Sequence, residues 1–167
     1  MRRLILCGLL ATGLAVPAAF AAPIHPAGLP FRLTLPAGWT PTGASGVARF
    51  SAAGPNGAHL AVTKGGSFPM SLPFATFLSI EAASAKKAYR AEDPKAVVTA
   101  RRVTLPSGPA VRITVTVNHG GAPIAIDLYS LLHKGVTYHF TYFTSTSQRT
   151  SAAGSFSSSA RSIRWTS

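Results

Sequence analysis

From Ala96 to Thr144 the chain alternates apolar and polar residues with a period of two, interrupted by three turn signals. Val111, Ile113, Val115 and Val117 alternate with Arg112, Thr114, Thr116 and Asn118. Successive side chains of a strand point to opposite faces, so this pattern buries one face and wets the other. The turn signals are Pro106-Ser107-Gly108-Pro109, Asn118-His119-Gly120-Gly121 and His133-Lys134-Gly135. Connections this short return the chain antiparallel, because a parallel neighbour needs a crossover of a dozen or more residues. The region therefore predicts consecutive antiparallel strands. One of them carries Ile124, Ile126 and Leu128 on one face and Ala125, Tyr129 and Leu131 on the other. Apolar on both faces, it is expected to be central and covered on both sides. The last, Val136 to Thr144, is aromatic-rich, as strands often are.

Upstream, Phe31, Leu33 and Leu35 alternate with Arg32 and Thr34, which predicts a strand that Pro36-Ala37-Gly38-Trp39 ends. Val47 to Ser51 and Ala58 to Thr63 read as two more. Between them, Asn56-Gly57 suits the positive φ angles of a tight hairpin. Pro73 to Ala91 reads as a helix, with Ser71 as its cap, Pro73 in its first turn and Asp93-Pro94 as its stop. At 100° per residue, Phe74, Phe77, Leu78, Ala82, Ala85, Ala88 and Tyr89 form one stripe; Lys86, Lys87 and Arg90 lie opposite. Glu81 falls inside the stripe. Either the helix changes its facing there, or Glu81 is a buried carboxylate paired with an arginine from the sheet, since acids are rarely buried unpaired. The serine-rich stretch Ser145 to Arg161 predicts a second, weaker helix anchored by Ala152, Phe156 and Ala160, before a closing Ser162 to Trp165. The expected class is α+β: a mostly antiparallel sheet flanked by one long and one shorter helix.

The first 21 residues have the three parts of a secretory signal. Arg2 and Arg3 supply the positive start, Leu4 to Val16 the apolar run, and Ala19-Phe20-Ala21 the small residues of a cleavage site. The apolar run falls short of the ~20 residues of a spanning helix, and Pro17 interrupts it. Cleavage before Ala22 is expected, leaving residues 22–167 as a single exported domain, periplasmic or extracellular, with no transmembrane anchor. The one cysteine, Cys7, leaves with the signal. Folding then depends on neither a disulfide nor a cysteine-bound metal.

Little catalytic chemistry is legible. The four acids are Glu81, Glu92, Asp93 and Asp127, too few and too scattered for a paired-carboxylate hydrolase. No G-x-S-x-G elbow occurs. A hydrolase using Asp127 with a serine and one of His25, His59, His119, His133 or His139 is the enzymatic alternative. The histidines show no metal-ligand spacing, and no phosphate loop or dinucleotide turn is present, so neither metal nor cofactor is expected. The formal charge is +12, reduced by two when Arg2 and Arg3 leave, and it favours an anionic partner. Lys86, Lys87 and Arg90 on the helix, with Arg101 and Arg102 on the following strand, are the candidate binding residues. Adjacent strand residues point to opposite faces, so at most one of Arg101 and Arg102 joins the helix patch. Stacking aromatics are not interleaved with these charges, which ranks nucleic acid below an anionic envelope component or protein.

The order of early strands, one long helix, a run of antiparallel strands and a short closing helix resembles the PsbP-like superfamily, its small exported bacterial members in particular. The matching pieces are Leu35-Pro36-Ala37-Gly38-Trp39, Ser71-Leu72-Pro73-Phe74, and Val103 to Gly108 running into Ala110-Val111. Val136 to Phe143 and Phe156 to Ile163 match as well. That superfamily includes the extrinsic photosystem II subunit and a nuclear-import factor that binds the small GTPase Ran. The resemblance implies a non-enzymatic accessory or binding module. Only packing positions match, so it carries over no functional residue.

Overall fold

The computed structural model describes residues 22–166. The signal sequence, its cleavage site and Cys7 lie outside the described residues. In chain order the strands are β1 (Phe31–Arg32), β2 (Thr40–Ser45), β3 (Ala48–Ala53) and β4 (His59–Ser67); helix α1 (Phe74–Glu92) follows. Then come β5 (Val97–Leu105), β6 (Gly108–His119), β7 (Ala122–His133) and β8 (Val136–Ser145), helix α2 (Arg149–Ser162) and β9 (Arg164–Trp165). Seven strands form one antiparallel sheet in the order β2-β3-β4-β8-β7-β6-β5; β1 and β9 pair separately. Helix α1 carries the chain from β4, inside the sheet, to the far edge, and β5 to β8 walk back hairpin by hairpin until β8 pairs with β4. The fold is α+β, with one long and one shorter helix.

The hairpins turn where the sequence marks them. Asn56 and Gly57 adopt φ of 55° and 74° between β3 and β4, and Lys134 and Gly135 adopt 48° and 77° between β7 and β8. Lys134-Gly135 is a two-residue return, which requires such left-handed values to match strand twist, whereas Asn56 and Gly57 sit in a longer connection, Gly54 to Ala58, with a 3-10 turn at Pro55–Gly57. Strand β7 lies inside the sheet, between β6 and β8. Its Tyr129 and Leu131 enter a core with Phe31, Phe50, Leu60, Phe140 and Tyr142, which α2 covers through Phe156 and Ala160, joined by Ile163 just after the helix. On the opposite face, Ile126 joins Val111, Ile113, Val115 and Val117 beneath Phe77 of α1.

Three local expectations need correction, and one strand escapes the sequence pattern. Phe31, Leu33 and Leu35 are buried, yet this segment contributes only β1 and a bridge between Ile24 and Leu33. An extended segment crossing a sheet buries alternate residues just as a strand within it does. Strand β2 gives no periodic signal, because every residue is exposed on an edge and register shifts flank Gly43; edge strands tolerate proline and bulges. Ser71 does not cap α1. The helix begins at Phe74 with Pro73 as N-cap, so Ser71 lies two residues too early, and Pro73 O accepts from the amides of Thr76 and Phe77. Ala88 is exposed, because the stripe that packs is the narrower one of Phe77, Leu78, Ala85 and Tyr89.

Candidate functional site

Packing Phe77 and Leu78 onto the sheet sends Lys86, Lys87 and Arg90 outward, and all three are exposed. Arg90 sits in the last turn of α1, where a cation complements the helix dipole. Register divides the two strand arginines. Arg102 pairs with Val111, whose side chain lies under α1, and its guanidinium rests 4.8 Å from the centre of the Phe74 ring. It therefore belongs to the α1 side, held by a cation–π contact. Arg101 pairs with Arg112 and faces the α2 side. The structure thus puts Arg102 on the α1 side of the sheet, at the start of the helix whose later turns expose Lys86, Lys87 and Arg90, and sends Arg101 to the other side.

Each of the four acids is used internally. Arg112 holds Asp127 bidentately, Nε to Oδ1 at 2.9 Å and Nη2 to Oδ2 at 2.7 Å. Asp93 accepts from the backbone amides of Lys95 and Asn118, both at 2.9 Å, and these bonds hold its carboxyl below the usual range. Glu92 pairs with His119 Nδ1. Glu81 is 8% exposed, and its Oε2 accepts from Ser130 Oγ at 2.7 Å and His139 Nε2 at 3.0 Å. Burial alone would push the Glu81 carboxyl up. The bonds from His139 and Ser130, with the charge on His139, outweigh it and hold the group below its ordinary value. The sequence reading of a buried, partnered carboxylate holds, but the sheet supplies a histidine and a serine where an arginine was expected. Gly65 leaves room for that histidine: a Cβ there would lie 2.9 Å from His139 Cε1.

None of this assembles a hydrolase. Asp127 is locked to Arg112, while His25 reaches the Leu29 carbonyl, His59 packs on Phe143, His119 meets Glu92, His133 stacks on Trp165 and His139 meets Glu81. Glu81, His139 and Ser130 are the right residue types in the wrong order. Serine and histidine both address the same carboxylate oxygen, whereas a catalytic histidine must lie between the acid and the nucleophile. Among the described residues no three histidine, cysteine or acidic side chains converge as a metal site. No described helix is long and apolar enough to cross a membrane.

No family model and no curated protein matches this sequence. Solved structures do. The solution structure of cyanobacterial PsbP (CyanoP) from Synechocystis sp. PCC 6803 superposes with a TM-score of 0.62 at 14% identity, covering 97% of this chain and 98% of its own. This chain has the PsbP-like fold. LpqN of Mycobacterium tuberculosis, described as involved in cell envelope biogenesis, shares the PsbP-like fold with a TM-score of 0.61 at 13% identity over 87% of this chain and 90% of its own. A Pseudomonas aeruginosa protein of unknown function, PA94, described as a putative regulator, superposes at 0.51 and 12% identity, covering 85% and 94%.

Proposed function

We propose that this PsbP-like protein is exported and acts by binding, engaging an anionic envelope component or protein through Lys86, Lys87, Arg90 and Arg102. The carrying observation is the fate of the acids. Glu81 and Asp127 are buried and paired within the fold, so only Glu92 and Asp93 offset the positive charges at the surface. A surface field of one sign attracts oppositely charged partners and speeds their encounter. The description of LpqN as involved in cell envelope biogenesis is in keeping with an envelope partner. Nucleic acid fits less well, because Tyr89, the aromatic beside these charges, is packed toward the sheet and cannot stack bases.

The test is retention on an anionic surface. Changing Lys86, Lys87 and Arg90 together to Gln should move stability by no more than about 0.5 kcal/mol per site, as exposed charges do. It should reduce retention more than changing Arg32, Arg49 and Lys134, which lie elsewhere. Retention should also fall steeply with salt, the screening length shrinking from ~10 Å at 0.1 M to ~3 Å at 1 M. Equal losses from the two triple variants would reduce the effect to net charge and defeat the assignment of the face.

A further inference from the structure

The seven-stranded sheet ends in two edge strands, β2 and β5, and they are built differently. The β2 edge is interrupted: Pro41 lies in it and register shifts flank Gly43. Proline and bulges are devices that keep an edge from pairing with another chain. Strand β5 has neither. Its nine residues contain no proline and pair with β6 in one unbroken register, from Val97 opposite Thr116 to Leu105 opposite Gly108. Among the described residues no strand pairs with its outer side. A regular edge of this kind presents a row of main-chain donors and acceptors that templates an added strand.

Ladder geometry identifies the outward groups. Pro109 has no N–H and stands opposite Thr104, which makes that pair a non-hydrogen-bonded one. Such pairs alternate with hydrogen-bonded ones along an antiparallel ladder. Thr104, Arg102, Ala100 and Val98 therefore turn their N–H and C=O groups away from β6. Arg101 and Arg102 occupy the middle of this edge, one on each face of the sheet. Both are exposed, and among the described residues neither has an acidic partner. Arg101 stands across from Arg112, whose own guanidinium is taken by Asp127.

These features select the occupant. A second copy of this chain, paired antiparallel along the full length of β5, would set Arg101 against Arg101, and like charges directly opposite are destabilising. An acidic strand brings the complementary sign. Neighbouring strand residues point to opposite faces, so meeting Arg101 and Arg102 together requires two consecutive acids. β-branched residues suit the flanks, where Val97 is 62% exposed and offers an apolar contact. We propose that the β5 edge binds an extended acidic segment of a partner protein, which joins the sheet as an added strand with adjacent carboxylates on Arg101 and Arg102. Main-chain hydrogen bonds supply the affinity and the two arginines select the partner. This goes beyond the basic face: Arg102 is shared, whereas Lys86, Lys87 and Arg90 are not required.

The probe is a fluorescein-labelled peptide matched to the nine residues of β5, alternating threonine and valine around two central glutamates. Its fluorescence anisotropy should rise saturably with this protein in 0.15 M salt. Two control peptides separate charge from backbone: one carries lysines for the glutamates, and one keeps the acids but has its central peptide nitrogens methylated, which blocks both edges of the strand. Each should bind at least about tenfold more weakly. In the complex, the amides of Val98, Ala100, Arg102 and Thr104 should gain protection from hydrogen exchange while those of α1 do not change. Changing Arg101 and Arg102 together to Gln should weaken binding about tenfold. Changing Lys86, Lys87 and Arg90 to Gln should alter it by less than about threefold, since charges beyond the ~8 Å screening length contribute little. The edge and the basic face can therefore fail separately. The proposal is overturned if the acidic peptide does not bind, if either control peptide or the double variant binds equally well, or if protection appears away from β5. It is also overturned if the β5 amides become protected as the protein alone dimerises, which would make the occupant a second copy.

Discussion

Glu81→Ala should lower stability by about 3 kcal/mol, within the range for losing a buried, charge-assisted hydrogen-bonded group. The carboxylate ties α1 to two strands at once, to Ser130 on β7 and His139 on β8. Alanine would leave the fully buried Ser130 hydroxyl with nothing to donate to. At roughly 3–4 °C per kcal/mol for a domain of this size, Tm should fall by about 10 °C. Glu81→Gln keeps an acceptor and the side-chain volume, so it should cost less. The difference between wild type and Glu81→Gln should depend on pH. The Glu81 carboxyl is held below its ordinary value in the fold, so the unfolded chain binds its proton first as pH falls. The stabilisation is therefore complete above the ordinary glutamate range and fades as pH drops through the depressed native value. Thermal melts of the three proteins across the acid range provide the check, and an Ala variant melting with wild type would refute the clamp.

Tyr142→Ala should be costlier still, about 4 kcal/mol, as for other large aromatic truncations in cores. Tyr142 is fully buried on β8, where it stacks on Phe156 of α2 at 5.0 Å and meets Tyr129 and Trp39 edge-on. Its hydroxyl donates to Ser159 Oγ at 3.1 Å, and burial drives its ionisation well above the ordinary phenol range. Removing the ring withdraws the surface on which α2 and Trp39 rest. Tyr142→Phe keeps that surface and loses one hydrogen bond, a cost of about 1 kcal/mol. Chemical denaturation of both variants separates packing from hydrogen bonding, and equal losses would contradict the packing account.

Several levels of this protein are written locally. Alternation in Val111 to Val117 specifies a face, and the turn pairs Asn56-Gly57 and Lys134-Gly135 specify returns. The apolar stripe of α1 decides that Lys86, Lys87 and Arg90 point outward. Each of these follows from residues a few positions apart, where backbone geometry alone relates one side chain to the next. Strand β2 was illegible because an exposed edge strand buries nothing, and burial is what periodicity reports. The short β1 misled for the converse reason: Phe31, Leu33 and Leu35 are buried without belonging to the main sheet.

The sites depend on relations that a linear pattern does not encode. Glu81 stands out in its stripe, but its partners lie 49 and 58 residues away, and only the registers of β7 and β8 bring Ser130 and His139 beneath it. Arg101 and Arg102 are neighbours in the chain and are separated by the sheet between them. Thr144 reads as an ordinary strand threonine until the fold closes over it and leaves its hydroxyl buried without a hydrogen-bond partner. The sequence by itself determined the class of fold, the strand faces and the outward charge of α1, because those are set by nearest-neighbour geometry. The tertiary structure alone decided the partners of the buried polar groups and the open β5 edge, because long-range register and strand order, absent from any local window, set both.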